Sequence, residues 1–286
     1  MGFDRQGMRC TLLKKQTGAE KVTVSIIITT YNWKEALELS LLSALDQTRP
    51  ADEIIIADDG SREDTRDLVC RIAAFDRVPI YHIWQKDKGF RAARIRNKAI
   101  AKAMGEYIIF IDGDIILHKS FIKDHEEVAR RRFFSQGSRV LLTPSKSAQV
   151  LKEKQLCFSF FENGLKNRKN SIHSGFLSRL VTRKSMNLNG IKTCNFAFWR
   201  ADGIAVNGFN EDFEGWGRED SEFAARLMSS GVQRQTVRFR ALTFHLFHPA
   251  NPRDSLERND RLLEHAIQTG STWCINGIDK RLHANS

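Results

Sequence analysis

Apolar positions in this chain fall into short unbroken runs, each followed by a stretch of helical period. Residues 22–30 read VTVSIIITT, a β-branched run that is too uniformly apolar for a half-exposed strand and predicts a strand buried on both faces. Residues 33–47 then carry Leu37, Leu41, Ala44 and Leu45 at helical spacing and stop before Thr48-Arg49-Pro50. The alternation recurs: EIIIAD at 53–58 precedes a helix over 62–74, and PIYHIW at 79–84 precedes one over 90–104. YIIFID at 107–112 makes a fourth strand, and RVLLTP at 139–144 a fifth after a further helix. Repeated βα units predict an α/β fold with a doubly wound, mostly parallel sheet.

Beyond that point the period weakens. Residues 145–189 are rich in Lys, Ser and Asn with no clear repeat, and predict an insertion or mobile excursion. Further on, 193–199 reads as a strand, 220–230 as a helix, 236–245 as strand-like and 253–267 as a helix. The expected organisation is a polar leader (1–21), a nucleotide-binding half (22–144), a basic variable insertion (145–192), an acceptor half (193–270) and a tail (271–286).

Composition changes the picture only at its margins. The apolar and charged fractions are those of a globular protein. Five scattered cysteines with no CxxC pair suggest neither a disulfide framework nor a thiolate zinc site, and fit a reducing cytoplasm. No apolar run approaches the roughly 20 residues that cross a bilayer, and the leader lacks a signal-peptide core. The net charge of +11 by itself suits nucleic acid, an anionic membrane or an acidic substrate. Its distribution is more telling, because residues 163–201 contain no acid while carrying Lys166, Arg168, Lys169, Arg179, Arg183, Lys184, Lys192 and Arg200. That run is either a solvated face with acidic partners elsewhere or a surface for an anionic membrane, and no aromatic-basic motif of the nucleic-acid-binding kind accompanies it.

Candidate chemistry sits where strands end, which is where open α/β sheets bind ligands. Asp112-Gly113-Asp114 places two hard carboxylates one residue apart, able to address one divalent cation directly or through water, although the triplet alone reads equally as a capped turn. Asp58-Asp59-Gly60-Ser61 offers a carboxylate to a base or ribose, or is an ordinary turn. Neither it nor the stretch from Gly89 matches a GxxxxGK[ST] or GxGxxG loop, which removes the main support for P-loop, kinase and dehydrogenase readings.

Together VSIIITTYN, EIIIADDGS and GFRAARIRNKAIAKAMGEYIIFIDGD resemble a family 2 glycosyltransferase of the GT-A fold over about the first 120 residues. The resemblance implies that Thr30, Tyr31 and Asp59 contact the nucleotide of a UDP-sugar, with Asp59 near the uracil. It also implies that Arg91 lies by the nucleotide or diphosphate, and that Asp114 is the main metal ligand, with Asp112 contributing through water. A second stretch, NGFNEDFEGWGRED at 207–220, is similar to a segment shared by β-1,4-galactosyltransferases and bacterial chondroitin-polymerase-type enzymes. That likeness makes Trp216 part of the acceptor platform, Glu219 a sugar contact and Asp220 the catalytic base of an inverting transfer. Chemistry agrees, since a sugar hydroxyl needs a carboxylate to take its proton and an indole suits a pyranose face. A Gly-rich turn leading into an N-capped helix is the plainer reading of the same residues.

The resemblance also calls for a histidine ligand at 243–249, where His245 is preferred and His248 is the alternative. An imidazole beside carboxylates favours Mn²⁺, with Mg²⁺ second. The first-strand turn departs from the usual family pattern in reading Thr29-Thr30-Tyr31-Asn32 without a proline. The acceptor implied is an oligosaccharide or lipid-linked saccharide, in bacterial surface polysaccharide or lipopolysaccharide synthesis at the inner membrane face. Competing classes are a non-catalytic carbohydrate- or nucleotide-binding module, which has no need of Asp220, and a sugar nucleotidyltransferase, which calls for a Gly-rich phosphate loop that residues 29–33 do not form.

Overall fold

The structure, a computed structural model, describes residues 22–75, 77–250 and 252–282; the predicted leader and the last four residues of the tail lie outside this range. Its first part follows the βα rhythm: β1 (Val24–Thr30), α1 (Lys34–Leu45), β2 (Glu53–Asp58), α2 (Glu63–Ala73), β3 (Ile80–Trp84), α3 (Ala92–Lys102) and β4 (Tyr107–Asp112). The four strands are parallel in the order β3-β2-β1-β4. Alternate residues of β1 serve two cores: Ile26 and Ile28 pack with Leu37, Leu41 and Val69 beneath α1 and α2, whereas Ile27 packs with Ala93, Ile95 and Ile100 beneath α3. Each such isoleucine, fully buried, contributes roughly 1.5–3 kcal/mol.

After Asp112 the chain runs through β5 (Ile115–Leu117), α4 (Phe121–Val128), β6 (Phe133–Gln136), β7 (Val140–Leu142), α5 (Pro144–Glu153), β8 (Leu165–Lys166), α6 (Gly175–Val181) and β9 (Arg183–Ser185). It closes with β10 (Phe196–Trp199), α7 (Arg200–Ala205), α8 (Glu219–Ser229), β11 (Gln233–Thr236), β12 (Thr243–His245), α9 (Leu256–Thr269) and α10 (Asp279–Leu282). The main sheet has the order β3-β2-β1-β4-β10-β6-β11-β9, with β10 antiparallel to β4 and to β6. The GT-A-type α/β expectation therefore holds, with an antiparallel strand let into the sheet.

Three local expectations change. The strand expected at 139–144 is β7, which belongs to a separate sheet ordered β5-β12-β7-β8 and not to the parallel one. Beside β4 the place is taken by β10, whose Phe198 stacks on Phe110 at 5.9 Å between ring centroids while Trp199 meets Tyr107 on the other face. An alternating aromatic strand fills both cores there better than a short aliphatic run. The aperiodic 145–189 stretch is ordered: Thr143 caps α5 by accepting from the Lys146 amide, β8 joins the small sheet and β9 forms an edge of the large one. Finally, the expected strand at 236–245 is split into β11 and β12, because Phe239 and Ala241 adopt positive φ values of 60° and 51° that no strand accommodates.

A candidate active site across the strand ends

Parallel pairing aligns the chemistry. Thr30 lies opposite Asp58 across β1 and β2, and Thr29 opposite Asp112 across β1 and β4, so the carboxyl ends of three strands form one ledge. The Gly113 amide donates to the Thr29 carbonyl at 2.7 Å, which fixes the turn carrying Asp114 against that ledge. A cleft of about 1390 Å³ opens above it. Thr30, Tyr31, Asp59, Asp112, Asp114, Trp216, Glu219, Asp220, His245 and His248 all line this cleft, so residues from both halves of the chain meet in it.

At one end, Asp58 is not a ligand-facing group. Its Oδ1 accepts from the amides of Gly60 and Ser61, and its Oδ2 meets His82 Nε2 at 2.9 Å, so it builds the turn. Gly60, at φ 106°, cannot be replaced freely, since a Cβ there would lie 2.6 Å from Asp87 Cα. The turn presents Asp59, whose buried carboxylate accepts from Gln85 Nε2 at 2.5 Å and from the Arg91 amide at 2.6 Å. Burial pushes the Asp59 carboxyl upward. Half-exposed Tyr31 donates its hydroxyl to Asp87 at 2.9 Å. Arg91 does not line this cleft. Only its backbone serves this end; its guanidinium bonds the Lys86 carbonyl and lines a separate small pocket with Arg94 and Glu211, because its position just before α3 aims the side chain outward.

In the middle, β5 and β12 pair so that His245 faces Ile115, immediately after Asp114. Asp114 Oδ2 then lies 3.5 Å from His245 Nε2 and 3.3 Å from His248 Nε2, so both candidate histidines converge on it. His248 Nδ1 donates to the Pro249 carbonyl at 2.6 Å, which orients the ring with Nε2 toward Asp114. Burial pushes His245 down to about 3, leaving it uncharged. Burial and the neighbouring Asp112 push Asp114 up to about 8, and its Oδ1 is buried without a hydrogen-bond partner. Two imidazoles, that of His245 kept uncharged by burial, facing a partly unsatisfied carboxyl group make an arrangement that a divalent cation relieves, and the donor set fits one.

On the opposite wall, Gly215, Gly217 and Arg218 adopt positive φ values of 74°, 106° and 77°, making a sharp loop before α8. The Gly215 amide donates to the Phe90 carbonyl, while Asn259 of α9 bonds the carbonyls of Glu214 and Gly217. The loop presents Trp216, whose ring lies 5.8 Å from the Arg253 guanidinium, and it sets Glu219 and Asp220 in the first turn of α8. Burial, reinforced by Glu219, pushes Asp220 up to about 7. A carboxylate in that range is poised to accept a proton near neutrality.

Arg96, absent from the expected site, joins the two walls. Buried in α3, it donates to Glu219 Oε1 at 2.9 Å and lies 3.8 Å from Asp112 Oδ1. Burial opposes its charge, but Glu219 and Asp112 more than offset this and hold it protonated. Glu219 lines the cleft, and its Oε2 remains buried without a partner. Arg139 and Lys192, which also line the cleft, add positive charge around the carboxylates. The available signal for Arg96 was a cation set among Ala93, Ile95, Ala99 and Ile100 on the buried face of a helix.

The family model for glycosyl transferase family 2 matches residues 25–186, more than half of the chain. The chain belongs to this family. Residues 180–249 match the model described as the N-terminal domain of galactosyltransferase, so the two stretches quoted above are both borne out. Among curated relatives, chondroitin synthase of Escherichia coli is 25% identical over 81% of this chain and 36% of its own length. Validoxylamine A glucosyltransferase of Streptomyces hygroscopicus subsp. limoneus is 26% identical over 73% of this chain and 48% of its own. The chain thus spans less than half the length of these relatives. Among solved structures, Staphylococcus aureus TarS 1–349 superposes with a TM-score of 0.58 at 16% identity, covering 84% of this chain and 64% of that one. GalNAc-T7 with UDP, GalNAc and Mn²⁺ gives 0.58 at 13% identity, covering 80% and 45%. These likenesses show the fold.

Proposed function

We propose that this protein transfers a sugar, with inversion, from a UDP-sugar to a hydroxyl of a saccharide acceptor. One observation carries the reading: a cation-ready Asp114-His245-His248 cluster and a carboxylate poised near neutrality, Asp220, line the same cleft, with Arg96 tying the two walls together. Thr30, Tyr31 and Asp59 receive the nucleoside, and Trp216 offers its face to the acceptor sugar. Asp220 removes the proton of the acceptor hydroxyl, whose oxygen attacks the anomeric carbon as the UDP leaves toward Asp112 and Asp114. Glu219, with one oxygen fixed by Arg96, turns its free oxygen to a sugar hydroxyl. Asp114, His245 and His248 would hold a divalent cation, with Asp112 nearby, and the cation would supply charge neutralisation for the departing diphosphate. The donor set favours Mn²⁺ over Mg²⁺.

For the acceptor, an oligosaccharide or lipid-linked saccharide of a bacterial surface polysaccharide or lipopolysaccharide fits relatives that include a chondroitin synthase and a glucosyltransferase named for a diphosphoundecaprenol-linked GlcNAc. The reading places the chain in the cytoplasm, peripheral at the inner membrane face; among the described residues no helix is long and apolar enough to cross a membrane. Slow hydrolysis of a panel of UDP-sugars with Mn²⁺ tests the donor and cation without knowledge of the acceptor. Metal-dependent release of UDP from at least one sugar is expected, and full-rate release in excess chelator overturns the cation assignment.

A further inference from the structure

Helix α6 is turned inside out. Of its seven residues only Ser178 is buried, while Phe176 and Leu180, one turn apart, are 72% and 68% exposed and Leu177 is partly exposed beside them. A surface helix of a globular protein normally buries its apolar stripe and exposes its serine. The placement is not loose: the Ser174 amide donates to the Phe239 carbonyl, Ser174 Oγ caps the helix by accepting from Leu177, and His173 bonds Asp124 at 2.8 Å. The fold therefore holds these side chains outward.

Their surroundings are cationic. Arg179 on the helix and Arg183 on the edge strand β9 are exposed, and neither forms an ion pair with a carboxylate among the described residues, whereas Lys184, the next strand residue, lies over the Phe133 ring at 5.0 Å. They lie within the acid-free run 163–201, so no neighbour in sequence compensates them. The patch continues through exposed Met186 into Leu188–Lys192, which lines the cleft.

We propose that α6 and β9 form a membrane-docking surface: Phe176, Leu177 and Leu180 enter the interfacial layer of an anionic bilayer while Arg179 and Arg183 engage its headgroups. Exposed apolar side chains accompanied by arginines that lack carboxylate partners match the interface of an anionic leaflet in charge and polarity. A protein partner covering so strong a cationic rim would need an acidic surface. The inference deepens the functional reading and rests on it in one respect, since a surface that runs into the cleft lip brings the cleft to an acceptor carried on a lipid.

Co-sedimentation with vesicles of mixed phosphatidylglycerol and phosphatidylcholine, against phosphatidylcholine alone, tests it. The protein should bind the anionic vesicles, release with rising salt and ignore the neutral ones. The double variants Phe176→Ser/Leu180→Ser and Arg179→Glu/Arg183→Glu should each lower binding on the order of tenfold. UDP-sugar hydrolysis should stay at the wild-type rate in both, which shows that they fold. Indifference to lipid charge, or wild-type binding by both variants, overturns the proposal. So does a concentration-dependent dimer, seen by light scattering, that the serine variant abolishes, because a second copy would then cover the patch. Loss of hydrolysis in the wild type would count against the transferase reading and leave the vesicle result to decide this surface alone.

Discussion

The two walls of the cleft are built by different means. The first wall is a row of parallel strand ends, where Thr30, Asp59 and Asp112 are placed by ladder register and by turns a few residues long. The opposite wall is a loop of three left-handed residues before α8, held by Asn259 more than 40 residues away and by a bond to Phe90. A ladder positions groups with little freedom and suits a ligand that must always sit in the same place. The loop instead brings a strained, partly unsatisfied pair of acids to face it, as sites of chemistry often do.

The contrast breaks most sharply at Asp220. Asp220→Asn should cut turnover by roughly 10²–10⁴-fold while leaving UDP binding nearly unchanged; a matching loss of UDP affinity would make Asp220 a nucleotide-binding group and not the base. Because only its ionised form accepts a proton, wild-type kcat/KM should fall as pH drops below about 7, and this limb should vanish in the variant.

Next comes Arg96, where the walls join. Arg96→Met leaves Glu219 buried without its cation, and a loss of about 3 kcal/mol or more in unfolding free energy is expected from denaturant titration. An unchanged midpoint would mean that the walls stand independently.

Asp114 should show an inversion of sign. Its carboxyl holds a proton up to about 8 in the folded chain but only to the ordinary carboxylate range when unfolded, so this group's contribution to stability is full at low pH and is lost as pH rises toward 8. Without added metal at pH 8, Asp114→Asn should therefore melt a few degrees above wild type; with Mn²⁺, the wild type should gain and the variant should not. A variant that melts lower in metal-free buffer and still responds to Mn²⁺ would remove Asp114 from the cation site.

The smallest effect is expected at Tyr31→Phe, which removes one exposed bond to Asp87 and should raise the donor KM a few-fold at most, with kcat unchanged.

Much of this arrangement was legible beforehand. Predicted strands at 53–58 and 107–112 coincide with β2 and β4, because an apolar run bounded by polar turn residues needs no distant information to be recognised. Asp59, Asp112 and Asp114 were found for the same reason: they end such runs. The facing of Arg91 is not legible in sequence, because a short stretch before a helix says which residues are present but not which side each one faces. Arg96 escaped because its partners, Glu219 and Asp112, are 123 and 16 residues away. Both histidines were in view, and the β5–β12 pairing brings both to Asp114 where spacing alone left a choice between them.

The sequence by itself determined the βα rhythm, the carboxylates at the strand ends and the acid pair that follows Trp216, since each depends on periodicity or turn chemistry within a few residues. Only the tertiary structure decided that β10 and not β7 lies beside β4, that Arg96 bridges the walls, and that α6 turns its apolar face outward. Those outcomes depend on which surfaces meet across long stretches of chain, where burial and charge pairing are settled between elements and not within them.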